Sequence, residues 1–138
     1  MLRISGDAHD KIIEDSKGAY PHECCGVLVG SSGQERTVTK AIEVENLNKE
    51  RARDRYEIDP AELNRVDREA RKEGLDIIGI YHSHPDHPDR PSEFDRKRGQ
   101  PEYSYVIVSV MGGNETTVKS WIFHDEGEPF EEEEIEVI

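Results

Sequence analysis

The chain has 138 residues, 33% apolar and 36% charged, with 31 acidic against 18 basic side chains and a formal net charge of −13 at pH 7. That length fits one domain with one core. The charge argues against nucleic acid or anionic membrane as a partner, because phosphate binding depends on lysine and arginine.

A short strand at Leu2–Ile4 is expected first, then a helix from about Asp7 to Lys17 with Gly18 as its stop. A hairpin follows: Cys25–Gly30, a turn at Ser31–Gly33, and Arg36–Val44. Cys24 and Cys25 are the only cysteines, and they are neighbours. Adjacent cysteines rarely bridge, and on a buried strand the residue acts as a small apolar side chain. The polar stretch Asn46–Arg55 reads as a loop that lines a substrate groove, and Tyr56–Ile58 as a short strand. Asp59-Pro60-Ala61-Glu62 is a strong helix start: cap, proline in the first turn, glutamate at the third helical position. That helix runs to about Lys72, Gly74 ends it, and Ala61, Leu63, Val66 and Ala70 form a core-facing stripe.

The apolar run Ile77-Ile78-Gly79-Ile80-Tyr81 begins a buried strand, Asp76–His84. The loop from Pro85 to Pro91 holds three prolines and breaks regular structure. Ser92 then caps a short helix to about Arg98, with Asp95 in its first turn and Arg96-Lys97-Arg98 as a solvated helix end. A strand at Tyr103–Val110, a turn at Met111–Asn114 and a returning strand at Thr117–Phe123 complete a domain over 1–124. Residues 125–138 are mostly acidic, with Glu131–Glu134 in one run, and read as a tail whose last residues pair weakly at most. There is no internal repeat, no second-domain linker and no nucleotide-binding glycine loop.

One segment carries chemistry. His82 and His84 stand two apart on a strand, so both side chains point to one face. Seven residues separate His84 from Ser92, and Asp95 follows three later. Strand, proline loop and helix turn the chain back so that a carboxylate can rejoin the two imidazoles. Two neutral imidazoles and one carboxylate suit a zinc ion that keeps a fourth position for water. Ser92 and Asp95 also read as a capping box, and the two roles are compatible. His82, His84 and His87 are a second ligand set, which requires the proline loop to fold His87 back. Asp86 and Asp89 read as solvated loop carboxylates.

The pattern His82-x-His84-x7-Ser92-x2-Asp95 resembles the zinc motif of the JAMM (MPN-plus) metallopeptidases. Pro21-His22-Glu23-Cys24-Cys25-Gly26 is similar to that family's early glutamate strand, and Tyr103–Val110 to its following core strand. The likeness spans about Ile4 to Trp121 and is nearest to the short stand-alone bacterial members. It implies one zinc per chain on His82, His84 and Asp95, Glu23 as general base and acid, and Ser92 as donor to the developing oxyanion. Read alone, Glu23 is a solvated charge entering a strand; only the resemblance makes it catalytic. The resemblance also implies a single α/β domain with a mixed, mostly antiparallel, curved sheet and flanking helices, as in cytidine deaminases. The deaminase pattern itself, His-x-Glu with Pro-Cys-x-x-Cys, is absent.

The expected activity is zinc-dependent peptidase or isopeptidase cleavage at the C-terminal tail of a ubiquitin-like or sulfur-carrier protein. Hydrolysis of small amides or peptides, and a non-catalytic module that keeps its metal, are the alternatives. The opening Met1–Asp7 lacks the apolar core of a signal peptide, no apolar run spans a bilayer, and two thiols fit a reducing compartment. The cytoplasm is therefore expected. Oligomeric state is left open.

Overall fold

The segments Cys25–Gly30, Ile78–Pro85 and Ser104–Val110 are strands buried on both faces, so their apolar runs are nearly continuous. A computed structural model describes every residue, Met1 to Ile138. The elements in order are β1 (Leu2–Ile4), α1 (Gly6–Ala19), β2 (Cys25–Ser31), β3 (Thr37–Val44), α2 (Pro60–Lys72), β4 (Asp76–Pro85), α3 (Glu93–Arg98), β5 (Ser104–Met111), β6 (Glu115–Ile122), β7 (Glu131–Glu133) and β8 (Ile135–Val137). All eight strands join one sheet in the order β7-β6-β5-β4-β2-β3-β1-β8. The β1–β3, β1–β8 and β4–β5 pairs are parallel and the other four antiparallel, which gives the mixed, mostly antiparallel sheet expected.

The sheet is curved until its margins nearly meet. Its two edge strands, β7 and β8, are separated in sequence by Glu134 alone. The Glu134 carbonyl accepts from the Leu2 amide at 2.8 Å. Residues expected as a tail thus supply both edges. Glu133 is not a solvated charge: its carboxylate accepts from the hydroxyls of Ser104 and of Ser120 (2.8 Å for the latter) and pairs with Arg36 at 3.4 Å.

Two apolar clusters lie on the two faces of the sheet. One joins α1 to Leu2, Ile4, Leu28, Val38, Ile78 and Tyr81. The other joins Val66 and Ala70 of α2 to Cys25, Val27, Val29, Ile80 and Tyr105. Both cysteines are free and buried, and burial pushes their thiols up to about 11 and about 12. That agrees with side chains that pack rather than react.

A bulge decides which face the histidines take. Leu28 pairs with Gly79 but Val29 pairs with Ile77, so Ile78 is an extra residue in β4. Ile78 packs on the α1 side, yet Ile80, two residues on, packs on the α2 side. Without the extra residue, unbroken alternation would carry Ile80, His82 and His84 to the α1 face. No room exists for a side chain at this point: a Cβ on Gly79 would lie 1.8 Å from the Ser104 carbonyl oxygen.

Three local expectations need correction. α1 continues through Gly18 to Ala19 because Gly18 takes no left-handed conformation and the chain turns at Tyr20 instead. Tyr56–Ile58 is not a strand. The Asn46 side chain holds it by accepting from the Glu57 amide at 3.0 Å and donating to the Arg55 carbonyl at 3.0 Å. Glu62 pairs with Arg65 rather than closing a box, and Asp59 caps α2 alone through the Ala61 amide at 2.9 Å. Gly74 does end α2, at φ +73°. No helix is long and apolar enough to cross a membrane.

Candidate metal centre

β4 delivers His82 and His84 to one face at its carboxyl end, and α3 returns Asp95 to them. The His82 and His84 Nε2 atoms lie 3.2 Å apart, and Asp95 Oδ2 lies 3.2 Å from the first and 3.1 Å from the second. All three residues are buried. Ligands at 2.0–2.1 Å from a tetrahedral ion stand about 3.3 Å from one another, so these three donor atoms fit such an ion closely.

Each donor is held from behind. The His84 Nδ1–H donates to the Pro88 carbonyl at 2.7 Å, which leaves the Nε2 lone pair for a metal. His82 stacks on Tyr56 with ring centroids 4.5 Å apart and 25° between planes. Its Nδ1 is buried without a partner, and burial holds its pKa below the ordinary histidine value. Asp95 is part of a closed capping box. Its Oδ2 accepts from the Ser92 amide at 2.9 Å, while Ser92 Oγ accepts from the Asp95 amide at 3.1 Å. Burial alone would raise the Asp95 pKa. The neighbouring imidazoles of His82 and His84 and the hydrogen bond donated by the Ser92 amide outweigh it and hold the carboxyl well below the usual range.

Glu23 stands at the entrance to β2, buried, with Oε1 unpartnered. Its carboxylate oxygen and the imidazole nitrogens of His82 and His84 lie within 4.8 Å of one another. Burial, then the charges of Asp95 and Asp54, push its pKa up to about 9. A buried polar atom without a partner calls for an explanation such as catalysis or a bound ion. Glu23 with the two histidines is itself a conceivable ligand set, but the mutual 3.1–3.2 Å spacing through Asp95 matches a single ion more closely.

The structure therefore brings Glu23, His82, His84, Ser92 and Asp95 together. His87 is exposed on the rim of the groove and is not among the converging donor groups, and its backbone carbonyl accepts from the Ser109 hydroxyl at 2.5 Å. Asp86 is not merely solvated: at φ 57° it accepts from Tyr20 Oη at 2.7 Å and from the Gly112 amide at 2.8 Å. Asp89 is buried, and its carbonyl accepts from Trp121 Nε1 at 2.9 Å. These bonds fix the proline loop that carries the Pro88 carbonyl. Tyr56 and Pro88 were not foreseen, and no spacing in the sequence marks them. A groove of 570 Å³ opens from Glu23, His84 and Ser92, and Arg51, Asp54 and Arg55 of the expected groove-lining loop form part of it.

The chain is similar to several known proteins. A desampylase of Haloferax volcanii is 41% identical over 116 residues, covering 80% of this chain and 82% of the relative. A CysO-cysteine peptidase of Mycobacterium tuberculosis is 29% identical over 122 residues, covering 88% and 82%. The solution structure of a Desulfitobacterium hafniense protein superimposes with a TM-score of 0.86 at 30% identity, over 100% of this chain and 93% of that one. Residues 5–124 match the family described as prokaryotic homologs of the JAB domain. By sequence and by fold, the chain belongs to that family.

Proposed function

We propose that this protein is a metal-dependent peptidase that hydrolyses an amide bond at the C-terminal tail of a ubiquitin-like or sulfur-carrier protein. The observation that carries the reading is the convergence of three donor atoms, 3.1–3.2 Å apart, beside a buried carboxyl group with no partner. The two relatives, a desampylase and a CysO-cysteine peptidase, support the substrate class.

His82, His84 and Asp95 would hold the metal, and two imidazoles with one carboxylate favour zinc. When bound there, zinc supplies Lewis acidity and makes water a stronger acid. Glu23 moves the protons: it takes one from the attacking water and gives it to the departing amine, so that water and amide become acid and amine. To begin, Glu23 must be ionised. Its raised pKa reflects burial and nearby carboxylates, and a cation held by its neighbours favours the charged form. Ser92 Oγ accepts from the Asp95 amide, which leaves the hydroxyl proton free to donate to the oxygen that becomes negative.

The test measures zinc per chain and cleavage of a sulfur-carrier C-terminal fusion, wild type beside Glu23→Gln. About one zinc in both proteins is expected, with turnover lowered about 10²–10⁴-fold in the variant. Zinc in both and cleavage in neither would count against the peptidase reading and favour a binding module. Undiminished cleavage by Glu23→Gln would remove Glu23 from the mechanism.

A further inference from the structure

The groove beside the metal centre holds four arginines against three carboxylates, a local positive excess on a chain that is strongly acidic as a whole. Arg51, Arg55, Arg90 and Arg96 line it, together with the carboxylates Glu23, Asp54 and Glu93 and a single apolar residue, Phe94. Arg51 is already neutralised, since it pairs with Asp54. The other three arginines enter no ion pair, a state they share with Arg53, Arg68 and Arg98, but these three alone line the groove that opens from Glu23, His84 and Ser92.

The three come from separate segments. Arg55 ends the loop before Tyr56, Arg90 lies in the proline loop, and Arg96 is on α3 one residue after Asp95. Two of them are set on fixed supports. The Arg55 guanidinium carbon lies 4.6 Å from the centre of the Phe94 ring, which also carries Arg98 at 5.1 Å. A stacked guanidinium keeps its planar N–H edge free for a carboxylate. Arg96 stands on the helix whose cap orients Asp95, and its amide donates to the Ser92 carbonyl at 3.0 Å.

We infer that Arg55, Arg90 and Arg96 form a receptor for an acidic protein segment, so that the partner presents Asp or Glu side chains next to the bond to be cut. This rests on the peptidase reading and adds a selectivity to it. Electrostatics of the whole molecule sharpen the selection. A net charge of −13 repels an acidic segment from most of the surface, and the local positive excess in the groove then fixes both where it lands and which way it lies. A neutral segment gains neither effect.

Two fluorescein-labelled peptides of equal length test this, one with three Asp and the other with Asn in their place. Their binding to the zinc-loaded full-length Glu23→Gln chain is read by anisotropy at 50 and 500 mM salt. Exposed charge pairs each contribute a few-fold at most, so three should favour the Asp peptide by about tenfold at low salt, falling to about threefold or less at high salt. Arg90→Glu with Arg96→Glu should abolish the preference. Lys17→Glu with Arg68→Glu changes the net charge equally, at exposed positions away from the groove, and should keep it. Equal binding of the two peptides, or equal loss in both double variants, would overturn the assignment. Binding of an oligothymidylate with none of the Asp peptide would overturn it in favour of a phosphate ligand. Acid preference without cleavage of any fusion would leave the groove's role standing and sink the peptidase reading; cleavage without acid preference would do the reverse.

Discussion

Asp95 joins two systems that are usually separate. One oxygen closes the capping box of α3 and lies within 3.2 Å of both imidazole nitrogens. Asp95→Ala is therefore expected to lose stoichiometric zinc and activity together, and to shorten or fray α3, measured by elemental analysis and circular dichroism. Zinc retained at one per chain would turn attention to His87. Ser92→Ala separates the two systems. It should keep zinc, cost about 1 kcal/mol as a lost cap, and slow turnover by about 10²–10³-fold if its hydroxyl meets the oxyanion; an unchanged rate would leave Ser92 a cap only. At this scale the sequence was informative where spacing encodes geometry. His82, His84, Ser92 and Asp95 lie within one strand-loop-helix unit, so their convergence could be read from periods of two and 3.6. Glu23 is remote in sequence, and Tyr56 and the Pro88 carbonyl act through stacking and backbone, which no residue pattern records.

β4 shows how little backbone it takes to place a site. The extra residue at Ile78 shifts the alternation, and the tight approach of Gly79 to the Ser104 carbonyl lets β4 lie against β5 at that point. Gly79→Ala places a methyl group into that carbonyl and is expected to destabilise the fold by about 2–4 kcal/mol, at the large end for single substitutions. Thermal melting with zinc titration checks this, and an unaltered melting temperature would refute the close-packing account. The apolar run Ile77–Tyr81 announced the strand but concealed the bulge, because residues buried on both faces carry no alternation to betray a shift. Tyr56–Ile58 was misread for a related reason. Tyr and Ile favour strands, and only the Asn46 side chain, ten residues before Tyr56, shows that this backbone is already bonded elsewhere.

On the scale of the whole molecule, charge and closure act together. Self-repulsion from −13 opposes the compact state, and salt screens it. We hypothesise adaptation to high salt: the melting temperature should rise between dilute buffer and about 1 M potassium chloride, and no change would count against the idea. Glu133 is one acidic residue to which this does not apply. It lies among two buried serines and Arg36, so Glu133→Ala should cost about 2 kcal/mol or more, as a partly buried charge pair is broken, measured by urea denaturation. A neutral shift would mean that the Glu133 carboxylate adds nothing through Ser104, Ser120 and Arg36. An acidic run in a sequence resembles a solvated tail because composition cannot show which carboxylate meets partners distant in the chain.

The order in which the sheet closes bears on how the protein is made. β1 precedes every other strand in chain order, yet one of its two neighbours, β8, follows every other strand. Until Ile135–Val137 emerge, β1 has an open flank, and β6 has one until Glu131–Glu133 emerge. Chains grow at about 5–20 residues per second and tend to fold from the N-terminus, but this sheet cannot be completed in that direction. A nascent chain can prepare the β2–β3 hairpin and α2, then must wait with two bare backbone margins, a template for unwanted pairing. Slowing translation would prolong that interval rather than assist folding, and a chaperone acting on this protein has its clearest task before Glu131–Val137 emerge.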